Sequence, residues 1–367
     1  MHSLFFTAGV MLVWVSSLLN GTGLGGQYHT NVITIAALWI FALAGGVKRR
    51  ATGIPEDIFW AYGGMIVTFI GSAMLRGSIK GAAAYLSCLL IIYIFSHTKV
   101  TKNSMRLAGL AVYILGLAIL VIYNYGTQLS GWNENSIAMI GLFSYVIFMA
   151  GFYDLRSGWS RFLMLAAGGV MFWLTMSTDS RSCLFALIIA MVLAIVMRPA
   201  PVFLRSKKLI VFLLLIPLLV AIITMALSAG GFVDGLNTWS LQRFNKPIFN
   251  GRDELWLTAL REITEHPFFG SGDIASNNLH NTAMACLSGF GVVGYAFWVW
   301  SLFVVLKRGQ GFSSDPIVTG CMTVFLLMNI QQSVELGMFS ENPNLLIYLP
   351  LGIMLGRVSY LKRSVRL

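Results

Sequence analysis

The sequence predicts an all-α integral membrane protein, one polytopic domain over residues 1–367 with about twelve transmembrane helices and both termini cytoplasmic. Three observations carry the prediction. Hydrophobic residues make up 57% of the chain and charged residues only 11%, with a mean hydropathy of +0.77, whereas a soluble domain carries about 25% charged residues. Apolar runs long enough to cross roughly 30 Å of hydrocarbon recur along the whole length. The charges between those runs are distributed unequally.

Taken in order, the runs lie near 3–19, 31–47, 58–75, 81–96, 107–123, 136–152, 162–178, 182–197, 209–229, 284–306, 317–330 and 345–360. The first lacks a basic leader and an obvious small-residue cleavage site, so it reads as a retained helix rather than a signal peptide. Lys and Arg near helix ends stay on the cytoplasmic side, and they alternate as that rule requires. With the N-terminus inside, the inner connections hold Lys48, Arg49 and Arg50, then Lys99, Lys102 and Arg106, then Arg156 and Arg161, then Arg198, Arg205, Lys207 and Lys208, then Lys307 and Arg308, and finally Arg357, Lys362, Arg363 and Arg366. That assigns 18 basic and 4 acidic residues to the inner side and 7 basic and 10 acidic residues to the outer side. The formal net charge of +11 is therefore a topology signal. A nucleic-acid partner would need a soluble basic face, which the sequence does not offer. Cys88, Cys183, Cys286 and Cys321 fall in or beside apolar runs without paired spacing, as packing residues do.

The outer turns GTGLGGQYHT, YNYGTQLSGWNEN and QQSVELGMFSENPN are short and suited to rimming a cavity. One outer connection is different. Residues 230–283 form a long polar stretch holding Arg243, Lys246, Arg252, Asp253, Glu254, Arg261, Glu262, Glu265, His266, Asp273 and His280. Connections of that length are functional or disordered, and the helical centre with Gly and Pro punctuation indicates an ordered, functional one. Asn250 is placed to cap a helix beginning at Gly251 and ending before Pro267. Trp256, Leu260 and Ile263 would form its apolar face, with Glu254, Arg261, Glu262 and Glu265 directed elsewhere, a pattern suited to a helix at the membrane surface. Arg252 falls in its first turn, where free N–H groups and the helix dipole favour an anion, and a guanidinium adds a bidentate cation.

Arg181, in LTMSTDSRSCLF, lies at the outer end of a tight connection between two runs. Ionisable groups at membrane depth mark sites; the structural alternative is an interfacial arginine paired with Asp179. His280, in SNNLHNTAM, can accept a proton at neutral pH; the alternative is a hydrogen-bonded helix cap. His266 ends a helix, where a cation is stabilising without catalytic work. Asp253 and Glu254 are two adjacent carboxylates without a third ligand, better suited to a helix N-terminus than to a metal. No metal and no cofactor is expected.

These residues together carry a resemblance. Thr178, Ser180 and Arg181 (TxSR), Gly251, Arg252 and Trp256 (GRxxxW), HPFFGSG, and Leu279, His280 and Asn281 (LHN) followed by SGFGVVGY resemble the signature of the O-antigen ligase and polymerase superfamily over roughly the second half of the chain. The resemblance implies a GT-C-like, metal-independent glycosyltransferase of the bacterial inner membrane with a periplasmic active site. Such an enzyme moves a glycan from undecaprenyl diphosphate to lipid A core, as a ligase, or to another lipid-linked repeat unit, as a polymerase. It implies Arg181 and Arg252 as diphosphate-binding residues and His280 as the catalytic base or orienting group. Asn281, Asp253, Glu254, Arg261 and Arg243 are secondary candidates. The compact outer loop favours the polymerase. A secondary transporter would place its charged groups near the bilayer midplane, and many protein O-oligosaccharyltransferases add a soluble C-terminal domain, which is not expected here.

Overall fold

Within hydrocarbon every backbone N–H and C=O must find an internal partner, which restricts uninterrupted apolar runs to helices. The computed structural model describes residues 2–21, 36–37, 40, 56–76, 89–126, 134–152, 158–178, 180–196, 202–249, 251–272, 279–333 and 345–364, and every regular element among them is helical. The main helices are α1 (His2–Gly21), α2 (Glu56–Arg76), α3 (Lys102–Tyr125), α4 (Glu134–Phe152), α5 (Gly158–Thr175), α6 (Arg181–Val196), α7 (Lys207–Ala229), α8 (Phe232–Phe244), α9 (Arg252–Glu265), α10 (Thr282–Gln310), α11 (Pro316–Gln331) and α12 (Leu349–Ser364). Six of these, α2, α3, α4, α5, α7 and α10, are long and apolar enough to cross a membrane by length and composition; α1, α6 and α11 are shorter apolar helices. Of the twelve runs expected, 31–47 lies largely outside the described residues, and 81–96 is described, as helix, only from residue 89.

The centre of the bundle is α4. It is apolar all round, as a helix must be when other helices surround it, and 83% of its span is buried. It packs closely on α3 because small residues line the seam: a Cβ at Gly109 would come within 3.1 Å of the Ile147 carbonyl. Its buried Ser144 hydroxyl accepts from the Trp14 indole at 3.0 Å, tying in α1.

A second seam joins α7, α10 and α11 and supports the polar end of the molecule. Pro217 interrupts α7 and has no N–H to offer the Leu213 carbonyl one turn earlier. Asn329 of α11 supplies the missing donor at 3.0 Å. At the opposite end of α10, Arg308 pairs with Asp57 of α2. Nearby in sequence, Asp315 caps α11 through Ile317 and Val318 N–H and receives the nearly buried Arg357 guanidinium of α12 at 2.7 Å.

Candidate functional site

The long polar connection folds as two helices, α8 and α9, lying outside the spans. Gly231 and Gly251 enter them in left-handed conformation, with φ of 73° and 76°. Helix α9 starts at Arg252 with Gly251 as its cap, not at Gly251 with Asn250 as cap, and Asn250 lies outside the described residues. A left-handed cap is open to glycine without steric cost, and it brings no side chain to the first-turn N–H groups. The buried face also differs from expectation. Trp256, Ala259 and Ile263 form it, with Asp253 at its edge, whereas Leu260 is 39% exposed. The small Ala259 seats the helix against α7 and α10 and leaves Leu260 at the rim.

Asp253 therefore points inward, where it accepts from Ser228 of α7 at 3.3 Å. Glu254, Arg261 and Arg243 are exposed. Glu262, read from the sequence as an outward residue, accepts from the buried Ser288 hydroxyl of α10 at 2.5 Å.

The two sequence motifs HPFFGSG and SGFGVVGY pack on each other through their backbones. Gly291 breaks α10 with φ 66° and ψ −172°, freeing carbonyls before it and N–H groups after it. The turn at 267–272 takes up both sets. Ser271 and Gly272 N–H donate to Ser288 and Gly289 carbonyls at 2.7 and 2.9 Å, and Val292 and Val293 N–H donate to Pro267 and Phe268 carbonyls at 2.9 and 3.2 Å. Buried backbone groups are thus paired despite the break. A Cβ at Gly270 would collide with the Gly289 and Phe290 backbone, and one at Gly291 with Phe268.

His280 stands at the start of α10 between two fixed neighbours. Asn281, wholly buried, caps the helix by accepting from Met284 N–H at 3.0 Å, and its amide donates to the Pro217 and Ser333 carbonyls at 2.9 and 3.0 Å. On the other side, the Leu279 carbonyl accepts from the Trp256 indole at 2.7 Å. His280 itself has φ 49°, an uncommon conformation for a residue other than glycine. Burial, and then the positive charge of Arg252, hold its imidazole below its ordinary pKa. At neutral pH the ring is uncharged and able to accept a proton.

Arg181 opens α6 after the tight turn Met176–Thr178. Its guanidinium donates to the Pro247 carbonyl at 2.9 Å, which joins α6 to the strand of chain leading into α9. The alternative partner, Asp179, lies outside the described residues, as do Asp273 and Cys88. His266 ends α9, its N–H donating to the Glu262 carbonyl. Cys183, Cys286 and Cys321 are buried and joined in no disulfide, consistent with packing. Among the described residues no group of three or more His, Cys, Asp and Glu comes together. The roles of Trp256, Ser288 and the Gln331–Ser333 segment were not read from the sequence. Each acts through hydrogen bonds between distant segments, for which linear spacing carries no signal.

The fold is that of a multi-pass helical membrane protein, at one end of which α9 is tied to the start of α10 by the Trp256–Leu279 bond and Arg181 of α6 reaches the Pro247 carbonyl. Residues 166–299, running from within α5 into α10 and including Arg181, Arg252 and His280, match the O-antigen ligase family, a match that supports the resemblance to the O-antigen ligase and polymerase superfamily. No curated protein and no solved structure matches the chain.

Proposed function

We propose that the protein is a glycosyltransferase of the bacterial inner membrane that moves a glycan from undecaprenyl diphosphate to a sugar hydroxyl on the periplasmic side. The observation that carries the reading is the juxtaposition of His280 with the Arg252 charge inside a segment matching O-antigen ligases. The polar stretch 230–283 is the periplasmic loop in this reading.

The acceptor hydroxyl attacks the anomeric carbon of the donor sugar, the bond from that carbon to the diphosphate oxygen breaks, and undecaprenyl diphosphate departs. His280 takes the hydroxyl proton, which its uncharged state permits. Arg252 and Arg181 stabilise the charge developing on the leaving diphosphate, as fixed cations in a partly dry site do. They supply the positive charge a divalent ion would otherwise bring, so we propose that no metal is required. Arg181→Ala and Arg252→Ala are expected to abolish transfer in reconstituted protein, with Lys restoring little because it lacks the bidentate fork. Undiminished transfer by either Ala variant would remove that arginine from the site. Activity lost in EDTA and restored by magnesium or manganese would overturn the metal-free mechanism.

The acceptor in this reading is a second lipid-linked repeat unit, favoured by a compact loop whose described residues form two short helices, of 13 and 14 residues. A deletion strain distinguishes the outcomes. Single repeat units on lipid A core indicate a polymerase. Polymer retained on undecaprenyl diphosphate, with free core, indicates a ligase.

A further inference from the structure

Helix α9 carries Arg252 and, one turn later on the same helix, Trp256. The indole is 1% exposed, among the most deeply buried large side chains of the molecule. Burial of an indole requires a partner for its N–H, and here that partner is the Leu279 carbonyl, the peptide immediately before His280. His280 occupies a left-handed conformation at φ 49°. Such conformations persist where the surroundings over-determine them. The Asn281 side fixes the residue to the bundle through α7 and the end of α11. The Trp256 side fixes it to the arginine-bearing helix. Without the indole bond, the Leu279–His280 peptide would lose this link to α9.

We propose that Trp256 is a positioning residue for the transfer reaction: its indole N–H, by holding the Leu279 carbonyl, sets the His280 imidazole in register with Arg252, so that the proton acceptor and the diphosphate-binding cation move as one unit. This rests on the reading of His280 as the base. The substrate-facing work remains with His280 and Arg252, and Trp256 touches neither donor nor acceptor.

The test uses the full chain, purified and reconstituted, with rates normalised to folded protein. Trp256→Phe keeps an aromatic ring and deletes the donor. Benzothienylalanine incorporated at position 256 keeps the shape of tryptophan with sulfur in place of N–H, and serves if the Phe variant does not fold. The expected result is a kcat lowered roughly 10- to 100-fold, the scale that small misplacement of a reacting group produces, with KM for the lipid-linked donor unchanged. The acid limb of the pH–rate profile should move upward, because a released imidazole is more hydrated and less affected by Arg252. In a His280→Ala background the same change at 256 should have no further effect, since a group acting through His280 has nothing left to act on. Wild-type kcat in the donor-less variants would overturn the proposal, as would an equal loss on top of His280→Ala. If His280→Ala itself transfers at the wild-type rate, the base reading fails first, and that result is distinct from a functional base that ignores Trp256.

Discussion

A histidine that must accept a proton from a sugar hydroxyl has to be uncharged at working pH, and two features of His280 favour that state: it is partly withdrawn from water, and Arg252 disfavours a second positive charge beside it. Both lower its pKa, burial more than the arginine. Transfer should therefore persist to more acidic pH than an exposed imidazole with a pKa near 6.5 would allow, and fall only as His280 becomes protonated. The same shift makes the neutral form the stabilising one. Its contribution is complete above the unfolded value of about 6.5 and is lost as pH falls through that value toward the folded pKa. Arg252→Gln removes the second cause and leaves the first, so the His280 resonance, followed by NMR in histidine-labelled protein, should titrate at higher pH than in the wild type while staying below an exposed histidine. No change, or a downward change, would show that the two side chains are not electrostatically coupled. At this scale the sequence was legible for residues whose chemistry is intrinsic. Arg181, Arg252 and His280 stand out as polar groups in an apolar chain. Asn281 did not show its role, because nothing in LHN reveals that its amide spans to Pro217 and Ser333.

Among the elements, the broken helix α10 is the most exacting. Its two halves are joined at Gly291, and the turn at 267–272 fills the gap with four backbone hydrogen bonds. This is how an interrupted helix keeps its backbone groups paired. The close approach tolerates no side chain at Gly270, where φ is 70° and an added Cβ meets the Gly289 and Phe290 backbone. Gly270→Ala should destabilise the protein by about 2 kcal/mol or more, as strain at a left-handed position combined with a backbone collision does. A lowered apparent melting temperature in detergent checks this, and Gly169→Ala, at a helix position open on its outer side, is the control. Equal melting of the two variants would mean that the turn is not docked. The apolar runs made the helices legible. The amphipathic pattern also announced α9, but its rotation was misjudged at Leu260, because which face is buried depends on where small Ala259 lets α7 and α10 approach. The docking of HPFFGSG onto SGFGVVGY was invisible for a related reason: backbone groups pair without regard to side-chain identity, so only the glycines hint at it.

For the whole molecule, α10 separates two kinds of polar end. Its N-terminus holds His280 and Asn281 beside the Arg252-bearing helix, while its C-terminus holds Arg308 paired with Asp57 and lies close in sequence to Asp315, the partner of Arg357. Although kinked at Gly291, Thr282–Gln310 is long and apolar enough to cross a membrane by length and composition. In the proposed reading the charge distribution of the sequence puts the Arg308 end in the cytoplasm and the His280 end on the opposite face. The proposed periplasmic transfer requires that orientation. It can be tested with single cysteines at the exposed positions Glu254 and Lys362, introduced after the four native cysteines are replaced. A membrane-impermeant maleimide should label Glu254→Cys in intact spheroplasts, and Lys362→Cys only after the membrane is permeabilised. Labelling of both from the same side would break the link between α10 and a single crossing. The reverse pattern, with Lys362→Cys reached from outside, would keep the crossing but turn the candidate site toward the cytoplasm, and the proposed periplasmic transfer would fall with it.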